Sequence, residues 1–390
     1  MRVVNIFYYY DERITSEEEV IQHYQTTTGW AEALQQQGVE SIILTRFHKN
    51  SIVQKNNIQY HFIKDGLKKG AFRTWQLPVK FLRSIKELEA DIIHVHSLTL
   101  SLQTFLLRLL LHRKTGIIVQ HHGGKLPGSK KRRFHNFFNR VADGFFFSTA
   151  AQGQEWFMKA TPFFKIMPVM EGATFFNYND RDARRNLTYH NRQAARQKTG
   201  MSGAPVFLWV GRLDENKDPL TVLAGFEILF KRYPEARLYM VYSDDQLLEA
   251  VTEKINSGDL LQQKVCLLGK ITHEEIEYYY NSADYFVLGS HYEGSGYALS
   301  EALRCGCVPV ITNIPSFTMM TNGGRLGALW QPGNSVSLAE AAAAAMTKSL
   351  QQEANACIDF FRSHLSFEAI ARMAQVHYQQ VKERRSGKNH

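Results

Sequence analysis

Two cations, Arg212 and Lys217, flank the tetrapeptide LDEN in the segment VGRLDENKD. On one loop, a guanidinium fork and an ammonium can grip phosphate oxygens together, and a diphosphate suits both. Two acids follow, Glu293 and Glu301, in HYEGSGYALSEALRCG. Even on one continuous helix they would stand roughly 12 Å apart, too far to share a proton. They can instead hold two ends of an elongated ligand, one carboxylate accepting from sugar hydroxyls and the other from a ribose. Between them, Gly294, Ser295 and Gly296 permit a tight turn ahead of a helix whose first N–H groups would meet phosphate. Each residue alone has an ordinary alternative: a solvated loop cation, a turn residue, an exposed helix acid. Together they describe a nucleotide-sugar site.

The elements that must position these groups alternate along the chain. Strand-like runs occur at Val3 to Tyr9, Ser41 to Thr45, Ile58 to Ile63, Asp91 to His96, Gly116 to His122, Gly144 to Thr149 and Lys165 to Met170. A polar stretch, Asn177 to Gly203, interrupts the rhythm. It resumes with PVFLWVG, Ala236 to Tyr242, Val265 to Gly269, DYFVLGS and VPVIT. Helical patterns lie between most of them. Ser16 with Glu19, and Thr272 with Glu275, fit capping boxes; Ser16 to Gln37 reads as one helix stopped by Gly38, and Asp218 with Pro219 marks another start. This alternation predicts an α/β protein of two consecutive doubly wound domains. We expect domains at 1–185 and 204–366, a linker at 186–203, and a last helix, 367–385, packing back on the first domain. In open parallel sheets ligands sit beyond the carboxyl ends of the strands. His94, His96, His122, Ser148, Arg212, Lys217 and Glu293 occupy such places, and two facing sheets would gather them around one cleft.

With 390 residues, 44% apolar and 21% charged, with 26 glycines and 10 prolines, the chain is neither a small module nor a disordered segment. The net charge of +9 favours acidic partners. Cys266, Cys305, Cys307 and Cys357 form no CxxC pair, which points to a reducing, cytoplasmic compartment. The amino terminus reads as a strand rather than a signal peptide. The apolar run Phe105 to Leu111 is broken by Arg108 and is too short to span a bilayer. The segment SKKRRFHNFFNR, Ser129 to Arg140, reads as a solvated basic face, or as a surface where Phe134, Phe137 and Phe138 dip into the inner face of a membrane beside Lys130, Lys131, Arg132 and Arg133. No zinc-finger or RNP-like motif accompanies it, so no nucleic-acid partner is expected.

Several ordered segments resemble a known family. VGRL with its following Lys217, LLGKITHEEI (Leu267 to Ile276), SADYFVLGS (Ser282 to Ser290) and the Glu293/Glu301 pair are similar to the donor domain of retaining glycosyltransferases of the GT-B fold, family 4. EALRCGCVPVITN (Glu301 to Asn313) resembles that domain's next helix and strand. ADIIHVHS, IVQHHGG and FFFSTA resemble the family's first domain more loosely. The resemblance implies two Rossmann-like domains facing across a cleft. It also implies transfer of a hexosyl unit, with retention and without a metal or other cofactor, from a UDP- or GDP-linked donor to a glycan, lipid-linked or small-molecule acceptor. Carried over residue by residue, Arg212 and Lys217 would bind the diphosphate, Glu293 the transferred sugar and Glu301 the ribose. Gly269, Gly294, Ser295, Gly296 and Tyr297 would complete the donor site. His122 would face the reacting sugar, with His94, His96, Gly123 and Ser148 on the acceptor side.

Three departures stand out. Tyr10, Asp11, Glu12 and Arg13 replace the usual Gly-Gly turn, ahead of a helix containing Thr26, Thr27, Thr28 and Gly29. Glu171, Gly172, Ala173 and Thr174 stand for Asn-Gly-Val-Asp, and Ser295 stands where an aromatic is usual. An unusual sugar or acceptor is therefore expected. The triplet Asp180-x-Asp182 lies in a polar linker beside arginines and is not read as a metal site. Runner-up readings are a nucleotide-sugar epimerase or glycosyl phosphorylase on the same scaffold, although no lysine suggests a pyridoxal site, and a non-catalytic anion- or membrane-binding protein.

Overall fold

The computed structural model describes residues 1–66, 75–123, 126–158, 163–172 and 192–387, apart from the side chains of 25–27, 163 and 274. The chain forms two units, Met1–Gly172 with Phe367–His390, and Ala173–Ser366.

The first unit is built on eight strands: β1 (Arg2–Phe7), β2 (Glu40–Arg46), β3 (Ser51–Lys55), β4 (Ile58–Ile63), β5 (Ile92–Val95), β6 (Gly116–Gln120), β7 (Gly144–Phe147) and β8 (Ile166–Pro168). Their order is β3-β4-β2-β1-β5-β6-β7-β8, parallel throughout except for β3 against β4. Every residue of β5, β6 and β7 is buried, because helices cover both faces; such strands read as unbroken apolar runs. On one face Ile6, Ile42 and Ile93 meet Phe81, Leu107 and Trp156. On the other, Ile43, Tyr60 and Phe62 meet Val20 and Ile21. The chain order reverses between β1 and β5, so the loops leaving these neighbours diverge.

Helix Phe367–Ser386 belongs to this first unit. A Cβ added at Gly29 would stand 2.4 Å from the Phe367 ring, and one at Gly116 would stand 2.5 Å from Val381. The absence of a side chain at both glycines admits the helix.

The second unit has six parallel strands: β9 (Val206–Gly211), β10 (Arg237–Tyr242), β11 (Val265–Gly269), β12 (Tyr285–Leu288), β13 (Val308–Thr312) and β14 (Ala328–Trp330). Their order, β11-β10-β9-β12-β13-β14, reverses between β9 and β12. Helix Pro219–Arg232 starts as read: Asp218 accepts from the Thr221 N–H, Pro219 fills the first turn, and Val222, Leu223, Phe226, Leu229 and Phe230 are buried behind it.

Several local expectations need correction. The helix read from Ser16 to Gln37 is two, Glu17–His23 and Gln25–Gln36, broken at Tyr24, whose ring packs 5.7 Å from Phe7. The Ser16/Glu19 capping box forms. At Thr272 the hydroxyl instead donates to the Glu275 carboxylate at 3.2 Å and caps no backbone group. The polar segment 186–203 contains helix Arg192–Thr199, whose Arg192 and Arg196 reach Asp284 at 3.1 and 2.7 Å. The expected junction at 185–186 lies outside the described residues, as do Ala173, Thr174, Asp180 and Asp182, and the side chains of Thr26 and Thr27.

Candidate functional site

In the second unit the two diverging loops are stitched together by Asn216. Its carboxamide donates to the Tyr292 carbonyl at 3.0 Å and accepts from the Tyr292 N–H at 3.1 Å, while its own carbonyl accepts from the His291 N–H at 2.9 Å. Gly289 lets the loops approach: a Cβ there would stand 3.0 Å from the Lys217 carbonyl oxygen. Asp214 shapes the first loop, accepting from the Lys217 N–H at 2.9 Å and pairing with Arg212 at 3.0 Å. As a result the Lys217 ammonium and the Glu293 carboxylate meet as an ion pair, with side chains 14% and 13% exposed. Glu293 also accepts from the Ser290 hydroxyl at 2.8 Å. A nearly buried ion pair needs such extra partners to offset its desolvation. Arg212 remains 58% exposed.

Helix Tyr297–Arg304 opens at Gly296, which has a φ of 57° and whose added Cβ would stand 3.0 Å from both Met320 and Phe317. Backbone and space both demand glycine there. The first N–H groups of this helix have no intrahelical partner. Within it, Glu301 accepts from the Tyr280 hydroxyl at 3.0 Å and lies 3.8 Å from His273. Burial raises its pKa above the usual carboxylate value, against the opposing pull of the Tyr280 hydrogen bond. Gly269 ends β11 with a φ of 71°. Thus Arg212, Lys217, Glu293, Gly294, Ser295, Gly296 and Tyr297 gather where β9 and β12 part. Glu301 stands deeper on the helix, and Gly269 stands two strands away.

In the first unit the histidines form a hydrogen-bonded series. His96, just past β5, meets Asn5 of β1 through Nε2 at 3.2 Å and His122 Nε2 through Nδ1 at 2.8 Å. His122 Nδ1 in turn contacts the Glu171 carboxylate. His94 is fully buried, its Nδ1 is bonded to the Tyr378 hydroxyl at 2.8 Å, and its ring lies 4.2 Å from that of His96. Burial, followed by nearby imidazoles, drives the pKa values of His94 and His96 well below the ordinary histidine value. Burial also brings His121 down to about 4. Gly123, with a φ of 81°, donates its N–H to His121 Nδ1 at 3.1 Å. Ser148 is buried between β7 and helix Ala150–Trp156.

Sequence reasoning missed Asn5, Asn216, Ser290 and Tyr378. It marked Glu171 as a departure from the family pattern but not as the partner of His122. Nothing local marks Asn216. Among the described residues no three His, Cys, Asp or Glu side chains converge as a metal site, and no helix is long and apolar enough to cross a membrane.

Residues 191–362 match the family described as glycosyl transferases group 1, and residues 25–152 match Glycosyltransferase Family 4. Mannosylfructose-phosphate synthase of Agrobacterium fabrum is 37% identical over 128 residues, covering 31% of this chain and 28% of that protein. The GDP-mannose:cellobiosyl-diphosphopolyprenol alpha-mannosyltransferase of Xanthomonas oryzae is 26% identical over 248 residues, 62% of this chain and 60% of its own. The chain therefore spans less than two thirds of the length of either relative. Among solved structures, a glycosyltransferase from Rickettsia africae superposes with a TM-score of 0.74 at 17% identity, covering 97% and 98% of the two chains. Anabaena Alr3699/HepE in complex with UDP and glucose gives 0.68 at 13% identity, covering 97% and 100%. Two doubly wound units, the ordered motifs and these matches agree: the chain belongs to glycosyltransferase family 4 and has the GT-B fold.

Proposed function

We propose that the chain transfers a hexosyl unit from a nucleoside-diphosphate sugar to a glycan, lipid-linked or small-molecule acceptor, with retention and without a metal. The observation that carries this reading is the meeting of Lys217 and Glu293 where the loops after β9 and β12 diverge, the place where doubly wound sheets bind nucleotides. Breaking the anomeric bond builds negative charge on the departing diphosphate and positive charge on the sugar. Arg212, Lys217 and the start of helix Tyr297–Arg304 stabilise the first, and Glu293 holds the second. Glu301 accepts from the ribose hydroxyls, Gly269 borders the nucleoside, and His122 with His96 and Gly123 lines the sugar and acceptor side. Retention rests on the family likeness. GDP-mannose heads the donor candidates because one relative bears it in its name.

A thermal-shift screen of GDP, UDP and ADP tests the donor half, since a ligand bound only by the native state raises its melting temperature. We expect a shift with one base above the others; no shift with any of them would sink the assignment. Turnover should then survive EDTA, and donor consumption without an acceptor would favour an epimerase instead.

Helix Ser129–Asn139 supports peripheral contact with anionic lipid: Phe134 and Phe137 are 52% and 61% exposed beside exposed Lys130, Lys131 and Arg133. Flotation with anionic liposomes should carry the protein and should weaken in a Phe134→Ser, Phe137→Ser variant.

A further inference from the structure

Glu171 lies just beyond β8, and its side chain is 6% exposed. A buried carboxylate is costly unless it is paired and hydrogen-bonded, and the structure pairs this one with His122 Nδ1. The following residue, Gly172, is pressed against helix Phe367–Ser386: a Cβ there would stand 2.7 Å from Phe367 and 3.1 Å from Ile370. The backbone beside the carboxylate is thereby held fast.

The other end of the series sets the protons. The Asn5 carboxamide nitrogen donates to the Ser41 hydroxyl at 3.3 Å, which turns its oxygen towards His96 Nε2. His96 Nε2–H therefore donates to Asn5. Since burial keeps His96 uncharged, its Nδ1 is an acceptor and takes the Nε2–H of His122. His122 then faces Glu171 through Nδ1 with its first proton already committed. The contact is attractive only when a second proton lies between imidazole and carboxylate. The titratable neighbours on β5 and just past β6, His94 and His121, are kept neutral by burial.

We propose that Glu171 is the positioning residue of His122, holding a second proton on Nδ1 so that the ring is fixed in its plane between His96 and Glu171 and carries a positive charge beside the transferred sugar. This rests on the transferase reading, in which His122 faces that sugar. His122 is the exposed end of the series, its side chain 36% exposed, while His96 and Asn5 are buried and act through it.

Nitrogen-15 NMR of histidine-labelled protein at neutral pH tests the proposal together with kinetics. In the unmodified protein both His122 nitrogens should carry protons. Glu171→Gln, which keeps the shape and removes the charge, should leave one, and kcat should fall about tenfold to a hundredfold, the loss of one charge-assisted hydrogen bond, while the nucleoside-diphosphate thermal shift stays unchanged. Glu171→Asp should restore part of both signals. A singly protonated His122 in the unmodified protein, or a Glu171→Gln variant with unchanged spectrum and kcat, overturns the proposal. If His122→Gln also leaves kcat unchanged, the sugar-facing role of His122 fails as well; if His122→Gln is inactive while Glu171→Gln is not, the Glu171 assignment alone falls.

Discussion

The two units use the same topological position for opposite chemistry. Where β9 and β12 part, the later unit keeps full charges and pairs them: Lys217 with Glu293 and Arg212 with Asp214. Where β1 and β5 part, the earlier unit gathers His94 and His96, strips them of charge by burial and links them through hydrogen bonds to Asn5, His122 and Tyr378. A diphosphate needs cations that stay charged; sugar hydroxyls need donors and acceptors held still. In the proposed transferase the charged loops would meet the diphosphate and the buried histidines would stand on the sugar side, so burial at the strand ends would decide which ligand chemistry each unit meets.

Removing the cation should have the largest effect. Lys217→Ala should lower turnover by about 10²-fold to 10³-fold, as loss of one preorganised electrostatic group does, and it removes the ammonium paired with Glu293. Initial rates with a saturating donor measure this. Unchanged turnover would erase the electrostatic half of the contrast.

Next comes acid. A histidine whose folded pKa is lowered is neutral in the folded chain, so its contribution is fully present above the ordinary value of 6.5 and is lost as the unfolded chain takes up the proton below it. For His121 the window runs from 6.5 down to about 4, a loss on the order of 3 kcal/mol at one unit per 1.36 kcal/mol. The earlier unit should therefore unfold first on acidification. Tryptophan fluorescence can follow it, because Trp156 lies 5.1 Å from the His121 ring, and His121→Gln should flatten the pH dependence.

The smallest effect sharpens the comparison at the level of caps. Ser16→Ala should destabilise the protein by about 1 kcal/mol in urea unfolding, the usual worth of an N-cap. Thr272→Ala should cost only about a few tenths, the scale of an exposed side-chain pair, because its hydroxyl caps nothing.

Legibility followed how local the cause was. Fully buried strands such as β5 to β7 declared themselves as apolar runs, and the start at Asp218 and Pro219 was written in two adjacent residues. The loops after β9 and β12 were legible because cations, acids and glycines lie close along the chain. Short pieces were not: β3, with alternating half-buried and exposed residues, and the three-residue β14 lack a run to read. Helix Arg192–Thr199 hid in a basic stretch because its reason for folding, Asp284, is 92 residues from Arg192. The pairing of Glu171 escaped for the same reason, since its partner His122 lies 49 residues earlier. The break at Tyr24 is a tertiary decision made by contact with Phe7.

The closing helix carries a consequence for biogenesis. Tyr378, Phe367 and Val381 fill places around His94, Gly29 and Gly116 that nothing translated earlier occupies. As the polypeptide leaves the ribosome, the earlier unit must wait for residues 367–386 before its interior is sealed, whereas the later one has every described strand in hand by Trp330. Birth order and completion order are thus inverted, and a fragment cut at residue 172 would carry an open wound along the strand that bears its histidines.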